Sequence, residues 1–173
     1  DYEGQITAIN KSQAVIEFDL EGNTLNANEN FLAAMGYSLS EIKGQHHSMF
    51  VDPSYKLSAE YAAFWQSLKA GEHSEGEYKR IAKGGREIWI RASYNPIFDS
   101  SGKPFKVVKF ATDVTQDKLK NAYFEGQINA ISKSQAVIEF DVDGTIITAN
   151  DNFLNTMGYR LDEIKGKHHR RKD

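Results

Sequence analysis

The run Ala14-Val15-Ile16-Glu17-Phe18-Asp19 is short and rich in β-branched and aromatic side chains, and Leu20-Glu21-Gly22-Asn23 supplies a turn that returns the chain through Thr24-Leu25-Asn26-Ala27. The pattern predicts a β-hairpin. Residues 29–35 have the apolar spacing of a short helix, with Asn28 as N-cap and Gly36 just past its end. Ser38 or Ser40 opens another helical turn, which Gly44 closes. Between Ser58 and Ala70, the apolar Tyr61, Phe64, Trp65 and Leu68 fall at i, i+3, i+4 and i+7, one face of a longer helix, and Gly71 provides its stop. The period then changes to two. Residues 77–82 and 87–94 flank Lys83-Gly84-Gly85-Arg86, and residues 99–103 separate the latter run from residues 105–112. These read as three further antiparallel strands.

Trp89 and the last of these strands carry apolar side chains on both faces, so one face covers a core and the other meets a helix or a partner chain. A helix over residues 2–11, from the same chain or a partner, is expected to cover Trp89, Val108 and Phe110. From Gln116 to about Lys133 the chain reads as helical again, with Leu119, Tyr123 and Ala130 on one stripe.

The chain repeats itself. Residues 3–47 return without a gap as residues 125–169, Gly4 pairing with Gly126 and His47 with His169. Roughly two of every three aligned positions are identical, which marks a tandem duplication of a domain-sized unit, not a solenoid repeat. The expected organisation is an N-terminal helix (1–12), a complete domain (13–115), a linker helix (116–134) and the first half of a second domain (135–173). The second copy lacks counterparts of the long helix and the last three strands. Its hairpin, with Val137, Ile138, Phe140, Phe153 and Leu154, is expected to fray in dilute solution or to swap into a neighbouring chain's sheet.

Composition narrows the function. Forty per cent hydrophobic residues and 26% charged residues describe an ordinary globular chain. A net charge of −3 offers no basic field for nucleic acid, and the only dense basic cluster is at residues 167–172. No apolar run is long enough to span a bilayer, and residues 1–5 lack the features of a signal peptide. The absence of cysteine excludes disulfides, thiolate metal sites and a thiol nucleophile. The expectation is a cytoplasmic piece.

The order of elements resembles the PAS sensor fold, and particular residues carry the match: Phe18-Asp19 with Gly22, Ala27-Asn28-Glu29-Asn30-Phe31, Met35-Gly36-Tyr37, Glu41-Ile42 with Gly44, Trp89-Ile90 with Asn95-Pro96, Asp99 with Gly102-Lys103, and Asp113-Val114-Thr115. The resemblance covers about residues 14–115 and resumes from Ala136. It implies an α+β fold: a five-stranded antiparallel sheet with short helices and one longer helix on one face, flanked by N-terminal and linker helices. Gly44-Gln45-His46-His47, Tyr94-Asn95-Pro96 and residues 106–113 look most like tandem-PAS chemotaxis transducers, which include aerotaxis receptors and biofilm-dispersion regulators. For such proteins the resemblance implies a homodimer, a following methyl-accepting signalling domain and a chemotaxis kinase complex.

The same resemblance implies candidate site residues. In flavin-binding aerotaxis-type domains a tryptophan on the long helix contacts FAD, and Trp65 stands at that place, with Asn28 and His47 matching two further polar positions. The sheet face carrying Ile90, Ala92, Tyr94 and Ala111 would close the pocket, and Asp113, Thr115, Trp89 and Phe110 would transmit the signal. The relatives' cationic pair is replaced here by Val51-Asp52. Haem is less consistent, because related haem sensors place a tryptophan where this chain has Ala111.

Blander readings stand beside these. Trp65 fills a core with Tyr61, Phe64 and Leu68; adjacent His46 and His47 have no metal-ligand partners at suitable spacing and serve a loop or packing role; Gly84-Gly85 is a hairpin turn. The carboxylates Glu17, Glu41 and Asp52 are scattered and no serine has a nucleophile context, so no enzyme activity is expected. Two functions follow: a sensory module binding a small ligand or redox cofactor, or a ligand-free PAS that dimerises and transmits.

Overall fold

The computed structural model describes residues 1–170; the end of the basic cluster at residues 171–172 lies outside the described residues. Two compact units result, Asp1–Lys118 and Leu119–Asp173. In the first, α1 (Tyr2–Ser12) precedes the hairpin β1 (Ala14–Phe18) and β2 (Thr24–Ala27). Three short helices follow, α2 (Glu29–Met35), α3 (Leu39–Ile42) and α4 (Pro53–Lys56), with a 3-10 turn at His47–Phe50. The longer α5 (Ala59–Lys69) leads into β3 (Ser74–Ile81), β4 (Glu87–Phe98) and β5 (Pro104–Asp113). The five strands form one antiparallel sheet in the order β2-β1-β5-β4-β3. The chain leaves through α6 (Thr115–Ser134).

Local chemistry sets these boundaries. Asn28 caps α2 by accepting from the Phe31 amide at 3.0 Å, and Gly36 ends that helix at φ +74°. Ser38 and Glu41 form a capping box on α3, and Ser58 caps α5 through the Tyr61 amide. At Gly22, φ is +87° and an added Cβ would lie 2.6 Å from His46 Nε2, so both backbone and space require glycine where the hairpin meets the two histidines.

The period of two becomes two sheet faces. Ile16, Phe18, Ile88, Ile90, Ala92, Tyr94, Val107 and Ala111 join Phe31, Met35, Ile42, Phe50, Tyr61, Trp65 and Leu68 in one buried core. Full burial of an aromatic or branched aliphatic side chain is worth about 1.5–3 kcal/mol, which outweighs the modest propensities of four-residue helices. The opposite face bears Trp89 and Phe110, half-buried, with Val108 buried. Here one expectation is corrected. Helix α1 buries no residue, and its link to the domain is polar, at its C-terminal end, so it does not cover Trp89, Val108 and Phe110 of its own chain.

The second unit repeats the opening on its own scale: β6 (Ile138–Phe140) pairs with β7 (Ile146–Ala149), followed by α7 (Asp151–Met157) and α8 (Leu161–Ile164). Lacking the rest of a sheet, it leaves Phe140, Ile147 and Met157 exposed.

Candidate functional site

The 3-10 turn at His47–Phe50 is held by the hairpin, His47 N donating to Gly22 O at 2.8 Å, and this drops the His47 ring into the core, where it is fully buried. Both ring nitrogens are engaged: Nδ1 lies 2.8 Å from the Tyr61 hydroxyl and Nε2 3.0 Å from the Tyr94 hydroxyl. Each tyrosine oxygen also accepts a bond from another side chain. Trp65 Nε1 donates to Tyr61 at 3.2 Å and Arg80 Nη2 donates to Tyr94 at 2.9 Å. A chain Trp65–Tyr61–His47–Tyr94–Arg80 therefore crosses the interior from α5 to β3. Phe18 and Trp65 pack edge-on to His47, with ring centres 5.2 and 5.3 Å away.

Electrostatics follow from burial. Desolvation, reinforced by Arg80, Lys109 and His46, holds the His47 imidazole well below its ordinary value. Burial pushes the Tyr61 hydroxyl up to about 12 and raises Tyr94 as well. A neutral imidazole donates from one nitrogen and accepts at the other, which suits two hydroxyls that each already accept a bond. Among the described residues no group of His, Asp or Glu side chains is arranged to hold a metal ion, and no helix is long and apolar enough to cross a membrane.

The family model described as PAS fold matches residues 24–111, and a second, described as PAS domain, matches residues 134–171. The chain belongs to the PAS family. Among curated relatives, Biofilm dispersion protein BdlA of Pseudomonas aeruginosa is 44% identical over 165 residues, 95% of this chain and 40% of that protein. The Aerotaxis receptor of Escherichia coli is 33% identical over 101 residues, 58% of this chain and 20% of the receptor. The chain thus spans two fifths or less of these relatives. Solved structures agree on the fold: a PAS domain from Colwellia psychrerythraea superimposes with a TM-score of 0.57 at 21% identity, covering 66% of this chain and 98% of that one. A light-oxygen-voltage domain gives 0.56 at 21% identity, covering 75% and 97%.

Within this PAS domain, His47, Trp65, Ile90, Ala92, Tyr94 and Ala111 share the interior. Asn28 does not join them. Its Oδ1 accepts from Val15 N at 2.9 Å as well as from Phe31, and its Nδ2 donates to Asn10 O and Gln13 O at 3.1 and 2.8 Å. All its capacity is spent clamping the end of α1 to β1 and α2. Asn30 adds bonds to the same carbonyls. Asn150 and Asn152 repeat the arrangement at the end of α6. Trp89, Asp113 and Thr115 meet at the start of α6, whereas Phe110 lies on the outer sheet face, opposite Val15 and Ser93.

Two interior residues escaped the sequence reading: Arg80 and Lys109, 3% and 1% exposed. The signal was present in the alternation. Lys109 stands midway between the inward Val107 and Ala111, and Arg80 two residues before the buried Ala82.

Proposed function

We propose that residues 14–115 form the input half of a signalling relay, in which the packing state of the PAS interior passes through the end of β5 into α6. The junction at Thr115 carries this reading. Thr115 Oγ1 accepts from Trp89 N at 3.0 Å and donates to Asp113 Oδ1 at 2.6 Å, while Val114 N donates to Trp89 O at 2.8 Å. Lys118 Nζ sits 4.7 Å from the Trp89 ring centre and 2.7 Å from Glu77. The first turn of α6 is thus fixed to β3 and β4, and β4 carries Ile88, Ile90, Ala92 and Tyr94 on its other face. A rearrangement that shifts β4 must carry the turn with it or break these bonds, which is a population shift between two packings. Kinship with the aerotaxis receptor favours a downstream chemoreceptor signalling domain and kinase complex as the output, with the chain acting as a cytoplasmic homodimer.

A flavin is the cofactor that the resemblance implies. The interior space beside Lys109 is about 20 Å³, room for about one water-sized group, while Tyr61, Phe64, Trp65 and Tyr94 fill the surroundings of His47. A three-ring isoalloxazine does not fit the interior as packed, and the relay does not require one. The same dense packing favours the second reading, a ligand-free transmission and dimerisation module.

The relay is tested by Tyr94→Phe, which removes the hydroxyl joining His47 to Arg80. Hydrogen exchange at residues 114–118 should accelerate at least tenfold in the variant. Unchanged exchange there, in a variant whose core amides exchange faster, would sink the relay. An absorption spectrum of the purified chain checks the cofactor: a flavin or haem band would overturn the packing argument.

A further inference from the structure

Asn28 and Asn150 cap α2 and α7, but Asn30 and Asn152 have no such duty. Each is the second residue of its short helix, a place where asparagine is a poor helix former, and neither side chain bonds to its own helix. Their amide groups turn back to the preceding helix. Asn30 Nδ2 donates to Asn10 O, Lys11 O and Gln13 O at 3.2, 3.1 and 3.2 Å, at the end of α1. Asn152 Nδ2 donates to Ser132 O, Lys133 O and Gln135 O at 3.3, 3.1 and 3.2 Å, at the end of α6. Asn150 Nδ2 adds bonds to Ser132 O and Gln135 O at 2.8 and 2.7 Å. The carbonyls that a helix C-terminus leaves without partners are thus met by two asparagines. Helices α1 and α6 run into Gln13 and Gln135, where α2 and α7 stop at a glycine.

These bonds fix one end of α6, and its first turn is fixed to β3 and β4 through Thr115 and Lys118. Between the two ends every residue from Leu119 to Ile131 is exposed, and α6 buries none of its residues. Any displacement along it is carried by the helix's own hydrogen bonds. At the far end the asparagines lead into the hairpin. Asn150 Oδ1 accepts from Val137 N at 2.9 Å and Asn150 N donates to Val137 O at 2.9 Å, one residue before β6.

We propose that Asn150 and Asn152 are the receiving grip of the relay, holding the last carbonyls of α6 so that a change at its first turn is delivered to the hairpin of the second PAS copy. The assignment rests on the Thr115 junction of the relay described above, though not on what moves that junction. Asn152 is the positioning residue to test, because it can lose its donors without removing the cap of α7. Coupling between two ends is reciprocal, so loosening either end must loosen the other. A residue that served only its own helix would leave the far end unmoved.

Amide hydrogen exchange is measured on the full 173-residue chain in wild type, Thr115→Val, Asn152→Asp and the double variant. Asn152→Asp keeps the side-chain shape and puts a negative charge in the first turn of α7, which favours that helix, but it gives up both donors to α6. Thr115→Val should speed exchange at Val137 and Asn150 about threefold or more, and Asn152→Asp should do the same at Val114 and Lys118. In the Asn152→Asp background, Thr115→Val should no longer act on Val137. Amides in the middle of β4 and β5 should stay as in wild type, and Thr115→Ser, which keeps the hydroxyl, should match wild type throughout. Should Thr115→Val disturb those core amides, the response of Val114 and Lys118 to Asn152→Asp decides alone. No response at Val137 and Asn150 to Thr115→Val in a folded variant, none at Val114 and Lys118 to Asn152→Asp, or an undiminished effect of Thr115→Val in the double variant would each overturn the grip. If Tyr94→Phe alters exchange at residues 114–118 while nothing reaches Val137, the relay stands and this inference alone falls. If the two ends of α6 respond to each other while Tyr94→Phe leaves residues 114–118 unmoved, the grip stands and the relay falls.

Discussion

His47 Nε2 and the Tyr94 hydroxyl, 3.0 Å apart and both fully buried, join the loop after α3 to the centre of the sheet. The two ring bonds favour a neutral imidazole, which lets one tyrosine hydroxyl donate to the ring. A protonated ring would donate to both tyrosines, whose oxygens already accept from Trp65 and Arg80, and would leave two hydroxyl protons with nowhere to go.

A pH dependence of stability follows. Folding depresses the His47 pKa, so below about 6.5 the unfolded chain binds a proton that the folded chain refuses. Stability from this residue is fully present above that value and is lost as pH falls, at up to about 1.4 kcal/mol per pH unit. Chemical denaturation at several pH values between 5 and 8 should show this slope, and His47→Gln, which keeps one donor and one acceptor, should reduce it by about one proton. An unchanged slope in the variant would refute the assignment.

Asn28 separates two roles that its sequence motif merges. Asn28→Asp keeps the oxygen that caps α2 and accepts from Val15 but loses the donor to Asn10 O and Gln13 O. The expected outcome is near-native stability with faster hydrogen exchange over residues 9–13. Asn28→Ala loses both roles and should cost about 1–2 kcal/mol more. Equal exchange in wild type and the Asp variant would show that α1 is held by something else.

The elements whose signals are local were legible in the sequence. Asn28 and Gly36 bracket α2, Ser58 opens α5, and Tyr61, Trp65 and Leu68 turn inward as their spacing requires. The site was less legible because its partners are distant in the chain. Nothing near His47 announces that Tyr94, 47 residues away, will meet its ring, and the family likeness put Asn28 in the pocket when its side chain is used up at a helix end. The cover of the outer sheet face by α1 of the same chain failed for the same reason: amphipathic spacing identifies a helix but not the surface it packs against. Lys109 was readable by alternation, yet a lysine in a strand invites the assumption of exposure.

Duplication supplies a further test. Thr24 is buried and its Oγ1 has no hydrogen-bond partner, while the matching position in the second copy is Ile146, also buried. A buried hydroxyl without a partner costs about 1–3 kcal/mol. Thr24→Val, close in shape, should leave stability unchanged or raise it by about 1 kcal/mol in denaturant unfolding, since its hydroxyl gives nothing back. A clear loss would show that the hydroxyl has a partner, such as an ordered water.

The last prediction concerns surfaces that this chain leaves open. Helix α1 presents Tyr2, Ile6 and Ile9, 83%, 58% and 40% exposed, and the duplicated stretch of α6 presents their counterparts Phe124, Ile128 and Ile131. The same apolar stripe on two helices is more than a chance exposure, and the outer sheet face with Trp89, Val108 and Phe110 is a second apolar surface, one that α1 of the same chain does not cover. If α1 of one protomer meets the partner, each isoleucine is buried twice in a two-fold interface. At about 1.5–3 kcal/mol for each side chain fully buried, less the cost of association, a double substitution Ile6→Glu and Ile9→Glu should raise the dimer dissociation constant at least tenfold. Neither side chain is buried within its own chain, so circular dichroism of the monomer should not change. Sedimentation over a concentration series decides the matter: a wild type that stays monomeric throughout, or a variant that dimerises as well as wild type, would rule out α1 as the contact.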